Sequence, residues 1–422
     1  MRRLASTTLA IGAVGALAGT LLAAGPSTGS APGGSVAPSS ARTVPFALKA
    51  TGFGTRVTGG DVPVGSGQTA FMALGCSTRV GINKENHEAE VTIPGLGRVS
   101  AVRTDLWTRE VKGVVSTYSR NTIGNVVIAQ SGLGRLQLSA VTAFAHAFHD
   151  SKGFHAETKA SLGGLQFVPT GGPPQDLPLP APGAPVEVPG LATIKVGAST
   201  KQVNHDGARA QSNALVIDMT ATHSRVSVGQ AKAQVLNGVE NGVFGGFSAG
   251  TRARGLDGNV TSGRTPLSLM PCQGTDGKVE SKKLASVDLG SNLAVGAVQS
   301  QQMARSMRGK SVTWERGSIA GLNLGDGQLV LDGVVGKVTV TREGRKLIKS
   351  YRGSTVGTIT ANGEKQAFPD TGVIEIPGVA RIERFVKESV PGGASIVALR
   401  VTLLDGTGAV LDLGLAKATI RR

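Results

Sequence analysis

Aromatic side chains are scarce in this 422-residue chain: two Trp, two Tyr and eleven Phe, 4% of the total. That scarcity argues against a protein organised around stacking platforms for sugars or bases. Cysteine is scarcer still, with only Cys76 and Cys272, which excludes a disulfide-rich scaffold and leaves a metal site built on cysteine short of ligands. No five or six Lys/Arg follow one another, although Lys and Arg outnumber Asp and Glu by 44 to 28 and the formal charge is +16. Positive charge spread so thinly favours anionic polymers in general and gives no sign of specific nucleic-acid recognition. Long helical periodicity is missing too, Val295 to Met307 being the best helix candidate. Glycine-rich phosphate loops, paired carboxylates at catalytic spacing and calcium-loop patterns are absent. No cofactor is therefore expected, and the chain reads as non-enzymatic.

What is present is a repeat. Thr55 to Cys76 and Thr251 to Cys272 have the same length, and Thr55/Thr251, Arg56/Arg252, Gly59/Gly255, Ser66/Ser262, Gly67/Gly263, Thr69/Thr265 and Cys76/Cys272 coincide without a gap. Downstream blocks keep their order: Gly134 to Leu138 against Gly327 to Leu331, Val188 to Ala192 against Ile376 to Ala380, and Gly229 to Ala233 against Gly414 to Ala418. Two tandem units, residues 43–240 and 241–422, follow from this. With 61 glycines and 40% apolar residues, each unit is long enough to bury a core.

Ahead of the units, Met1-Arg2-Arg3 and the uncharged run Leu4 to Ala24 lead into a Pro/Gly/Ser-rich stretch, Gly25 to Ala41. A basic start, an apolar run and small residues describe a secretory signal segment over residues 1–41, with cleavage after Ala24 or Ala41. An uncleaved membrane anchor is the alternative, and the only route by which a membrane becomes a partner.

Within the units the patterns are those of strands. Leu136 to Val141 and Leu329 to Thr341 alternate apolar with small polar residues, and Ala214 to Ile217 and Ile396 to Leu404 are short apolar-rich runs. Dipeptides such as Asp276-Gly277, Asp332-Gly333 and Asn362-Gly363 mark tight turns. The expected fold is all-β: two tandem antiparallel β-sandwich or barrel-like units. The proline-rich stretch 168–190 resembles a linker in composition, but its counterpart in the second unit makes it a surface loop inside the first.

Cys76 and Cys272 occupy equivalent places in the repeat. They either bridge, if the units bring them together, or remain two separate buried thiols. His146, His149 and His155 lie close in sequence to Asp150 and Glu157, yet on a strand His146 and His149 point to opposite faces, so incidental histidines on a hairpin are expected and no metal site. Gly246 to Gly250 fits G-x-S-x-G, but no histidine follows Ser248 and no β-α-β rhythm surrounds it, so it is read as a chance match. Phe368 to Gly372 approximates a sorting signal and is read as a turn.

The ordered, duplicated motifs resemble the choice-of-anchor P family of exported actinobacterial surface proteins. The residues concerned are Ser66-Gly67-Gln68-Thr69 leading to Leu74-Gly75-Cys76, Ser262-Gly263-Arg264-Thr265 leading to Met270 through Gly277, Gly134-Arg135-Leu136, and the Ile/Val-Pro-Gly turns. The resemblance implies a secreted or surface-displayed protein of unassigned molecular function and supplies no catalytic residues. Ile420-Arg421-Arg422 ends the sequence without an apolar span, which points to free secretion or non-covalent retention on the wall. The expected role is a non-enzymatic extracellular or cell-wall-associated protein whose partner is an anionic wall polymer or another surface protein. A secreted hydrolase and a structural surface-layer component are the alternatives.

Overall fold

A computed structural model describes residues 42–59, 68–93, 97–220, 222–239, 241–255, 263–288, 293–325, 327–404, 406 and 408–421. The signal segment with both cleavage points, and Ser66, Gly67 and Ser262 of the repeat, lie outside the described residues. All-β architecture is what the structure shows: four antiparallel sheets and no helix among the described residues.

Two sheets lie within residues 43–236. Sheet I runs, in spatial order, Val186–Val188, Ala192–Val196, Gly207–Met219, Arg225–Leu236, Thr43–Thr58 and Met72–Arg79, with Thr200–Asn204 added on Gly207–Met219. Sheet II runs Asn83–Ile93, Gly97–Val111, Val114–Ser131, Gly134–Asp150, Gly164–Pro169 and Gln175–Asp176, with Gly153–Ser161 added on Gly134–Asp150. The other two fall within residues 243–421. Sheet III runs Ser268–Leu269, Val243–Arg254, Val410–Arg421, Gly393–Leu403, Ala380–Val390 and Val373–Ile376. Sheet IV runs Glu280–Leu284, Val298–Met307, Lys310–Leu324, Leu329–Glu343, Ile359–Ala361 and Glu364–Gln366, with Lys346–Ser350 among the shorter strands joined to it. Strand order in sheet III follows that of sheet I, and strand order in sheet IV follows that of sheet II.

Each half is a sandwich whose inner faces meet over small and branched apolar side chains. Gly134–Asp150 shows how the sequence arranges this. Leu136 and Leu138 point inward, then Ala140 takes φ 50°, and Val141, Ala143, Ala145 and Ala147 point inward after it. One residue of left-handed backbone shifts the alternation by a place, while the pairing keeps its register, Ser139 opposite Asn125 and Val141 opposite Ile123. The alanines leave room for Ala231 and Ala233 of sheet I in the same core. In the second half the sheets come closer still: a Cβ on Gly317 or Gly336 would collide with the backbone of Ala249 or Gly414 respectively, so only glycine fits there.

Two local expectations change. Val295 to Met307 is not helical; it holds the end of Leu293–Val295 and all of Val298–Met307, with an in–out burial pattern of period two. Its strand character is hidden because the inward positions include Ser300 and Gln302, both buried, so hydropathy does not alternate as burial does. Asp332-Gly333 is not a turn but a kink inside Leu329–Glu343, with Gly333 at φ 57°. Asn362-Gly363 is a turn, both residues having positive φ between two paired strands, as a type I′ hairpin requires. The proline-rich stretch 168–190 carries the chain from sheet II to sheet I: Gln175–Asp176 pairs in the first and Val186–Val188 in the second.

Six residues separate Leu236 from Val243, and beside them the halves are fastened. Cys76 and Cys272 form a disulfide with Cα atoms 5.5 Å apart, buried in a small cluster with Ala47, Leu236, Val239 and Val243. Gln273 donates its side-chain amide to the carbonyls of Asp206 and Asn237 at 3.1 and 2.9 Å.

Candidate functional site

The scarce aromatics are not scattered. In sheet II, Trp107 lies directly opposite Tyr118, and Tyr118 opposite His146. Leu106, Ser119, Ala145 and Ala147 fill the inner side of the same strands, so these rings stand on the outer face. Residues directly opposite on adjacent strands hold their Cβ atoms about 5 Å apart, which suits stacked rings. Trp107 and Tyr118 stack at 4.8 Å, Tyr118 and His146 at 4.1 Å, His146 and Phe148 at 4.6 Å, and Phe148 and His155 at 4.6 Å, with interplanar angles no larger than 18°. Phe144 flanks the row at 6.3 to 6.5 Å from Trp107, Tyr118 and His146. The result is a continuous ladder across four strands.

The sequence signal was Ala143 to Phe148, in which Phe144, His146 and Phe148 alternate with alanine. Read with large rings inside, that pattern looks like an ordinary strand. The structure puts the alanines inside, in one core with Ala231 and Ala233 of sheet I, and the rings outside. The low aromatic content is thus compatible with a stacking platform after all.

Charge gathers at the Trp107 end. An open depression of about 560 Å³ is lined by Lys84, Glu85, Arg103, Asp105, Trp107 and Arg120, among others. Asp105, only 8% exposed, accepts from Arg103 Nε at 2.8 Å and Arg120 Nη2 at 3.0 Å, while Arg103 Nη2 reaches Glu85 at 2.8 Å. The Arg120 guanidinium also lies 5.7 Å from the centre of the Trp107 ring, within cation–π range. Ion pairs hold both arginines in place with guanidinium edges still open to solvent, beside a flat ring.

At the other end the histidines separate as strand geometry requires. His146 pairs with Glu157 at 3.1 Å on the outer face and His155 with Asp150 at 3.0 Å. His149 instead lies against Phe46 in a tilted arrangement and meets Phe154 edge-on, both of which pack against the core of the first half. Burial lowers the His146 pKa despite the opposing pull of Glu157, so at neutral pH the ring in the ladder is uncharged. No cluster of three metal-ligating side chains occurs among the described residues.

Ser248 sits mid-strand in Val243–Arg254, fully buried, donating to the Gln301 carbonyl at 2.9 Å; it has neither the exposure nor the strand–turn–helix setting of a nucleophile elbow. Phe368 to Gly372 forms a turn closed by Gly372 N–H to the Pro369 carbonyl at 2.9 Å. Comparison with protein families, with curated protein sequences and with solved structures finds no match to this chain.

Proposed function

We propose that this is an exported, non-enzymatic protein of the cell envelope or extracellular space that holds a glycan polymer on the outer face of sheet II. The observation that carries the reading is the unbroken ladder Trp107–Tyr118–His146–Phe148–His155. Stacked on one another, the rings present their edges outward as a rigid apolar strip with little conformational entropy to lose, which suits it to packing against sugar rings. The depression beside Trp107 adds fixed guanidinium and carboxylate groups for hydroxyl or acidic substituents. Export is supported by the basic–apolar–small pattern of residues 1–41 and by the Cys76–Cys272 bridge, which suits an oxidising destination. The resemblance to the choice-of-anchor P family and the overall positive charge point to the same setting. The matching strand orders support duplication of one ancestral unit.

The test is retention of the purified protein on isolated cell-wall sacculi, and on an uncharged insoluble glycan such as chitin, across a NaCl series. Stacking survives salt, whereas attraction by exposed charge is screened within about 3 Å at 1 M. The protein should stay bound at 1 M NaCl, and the double variant Trp107→Ala, Tyr118→Ala should elute. Complete release of the wild type by salt from both supports would overturn the reading, as would equal retention of the variant.

A further inference from the structure

The second half carries a different outward feature, a row of arginines on sheet III. Arg252 lies opposite Asp412, and Asp412 opposite Arg400. Thr251 and Thr265 exchange backbone hydrogen bonds at 2.9 Å in each direction, so the residues one step on, Arg252 and Arg264, come side by side at the edge of that row. Arg254 follows two residues along the same strand. Four guanidiniums therefore surround one carboxylate.

Asp412 is fully buried and accounts for part of this. It accepts from Arg252, from Arg400 Nε at 2.7 Å and from Arg254 Nη2 at 3.3 Å. Burial opposes its ionisation but is outweighed by the hydrogen bonds and charges of Arg400 and Arg252, which hold its pKa below the ordinary carboxylate value. A structural ion pair would need one or two arginines for that single negative charge. Arg264 has no carboxylate partner among the described residues; it is exposed and its guanidinium lies 4.1 Å from the centre of the Phe247 ring. The nearest further acid across the row, Glu383, lies opposite Arg400 but is paired with Arg381 at 3.2 Å. Among the described residues, three positive charges are left over in this row. The crowding is felt at Arg264, whose pKa is lowered by partial burial and then by the charge of Arg252, Arg254 adding to it.

Uncompensated guanidiniums held by a buried anchor, with donor edges facing water, form a receptor for a multiply charged oxyanion. Arginine, with its planar fork of donors, suits phosphate better than a lysine point charge does. We propose that Arg252, Arg254, Arg264 and Arg400, fixed around Asp412, bind a phosphate group, either free or carried as an ester on a polymer. The corresponding row of sheet I carries one arginine where sheet III carries three besides Arg254. There the corresponding row reads Gln68, Arg56, Ser227 and Val216, Arg56 being opposite Ser227 and Ser227 opposite Val216. The inference stands apart from the glycan reading, because the two sites lie in different halves and share no residue.

Calorimetric titration of the purified protein with tripolyphosphate, and separately with a purified glycerol-phosphate polymer, tests it. The double variant Arg254→Gln, Arg264→Gln spares the two closest partners of Asp412 and so leaves the fold in place, which the melting temperature verifies. It should weaken binding at least tenfold. Arg254→Lys with Arg264→Lys, which keeps the charge and loses the fork, should weaken it several-fold. A charge-matched control at the exposed Lys282 and Lys283, both changed to Gln, should change affinity less than twofold. Arginine-dependent binding of both ligands would support a site for phosphate as such, and of the polymer alone a site for the ester. No binding of either ligand, or equal loss in the arginine and lysine variants, would overturn the proposal.

Discussion

Sheets II and IV have corresponding strand orders and opposite surfaces. Counted from their hairpin turns, at Lys112-Gly113 and Arg308-Gly309, Trp107 and Tyr118 correspond to Met303 and Trp314, which are likewise opposite one another. Where the first half continues into His146, the second continues into Thr339, and the ladder stops at one ring. That ring is covered on its face by Lys337, with Nζ 5.0 Å from its centre. The inner faces diverge as well. Ser119, buried in the first half, donates to the Thr51 carbonyl at 2.9 Å; its counterpart in the second half is Glu315, buried with neither carboxyl oxygen hydrogen-bonded. Such a pair of halves teaches that the framework sets where side chains can meet, while individual positions decide which half does what. The ring ladder lies in one half and the arginine row around Asp412 in the other, so the molecule offers two unlike surfaces instead of one surface twice.

The largest expected effect comes from separating the halves. The Cys76–Cys272 bridge closes a loop of 196 residues in sequence separation, for which chain entropy gives an upper figure of about 5 kcal/mol. Cys76→Ser with Cys272→Ser should lower the melting temperature and split a single calorimetric transition into two, one for each half. A single unshifted transition would show that Gln273 and the apolar cluster around the bridge suffice to couple them.

The contrast between Ser119 and Glu315 predicts a pH dependence that belongs to the second half alone. Burial raises the Glu315 pKa well above its ordinary value, the negative charge of Glu280 adding to this and the nearby Ser248 opposing it. That hydroxyl is already engaged with the Gln301 carbonyl, so burial dominates and the shift is upward. The folded chain then keeps a proton that the unfolded chain gives up above about pH 4.5. Stability contributed by this group is complete below that pH and falls as pH rises toward the folded-state value. Glu315→Met should flatten this fall and raise stability at pH 7 by about 1–3 kcal/mol, because it removes a buried unsatisfied group without leaving a void. Denaturant unfolding at pH 4 and pH 8 measures both; an unchanged pH profile would mean the carboxyl is solvated.

The smallest effects sharpen the surface comparison. Trp107→Ala alone should weaken glycan retention about tenfold, in the range of a central aromatic anchor, and Trp314→Ala less than twofold. Equal losses would mean that any exposed tryptophan serves, and that the ladder has no special standing.

Several features were legible without coordinates. Short β-branched runs cut by glycine dipeptides announce antiparallel strands, and Leu136 to Val141 and Leu329 to Thr341 alternate visibly enough to be read as such. The failures have separate causes. Val298–Met307 was obscured because Ser300 and Gln302 face inward, and Asp332-Gly333 because a positive φ serves a kink as well as a turn. Hydropathy reports burial only when the buried residues are apolar, and a turn dipeptide reports backbone angle, not chain reversal.

The sequence by itself determined the class of fold, the equivalence of the two cysteines and the small residues that the inner faces need. Local preferences suffice for these, since strand propensity and alternation act over a few residues. Only the tertiary structure decided that Cys76 meets Cys272, that Trp107 meets Tyr118 and His146, and that Arg252, Arg264 and Arg400 crowd around Asp412. Each of those contacts depends on how the chain is paired or packed, in some cases between consecutive strands, as for Trp107 with Tyr118, and in others between segments far apart, as for Arg252 with Asp412. A one-residue slip would turn every such side chain to the other face, and that register is held by close backbone approaches such as those at Gly317 and Gly336, whose consequences appear only when the sheets are assembled.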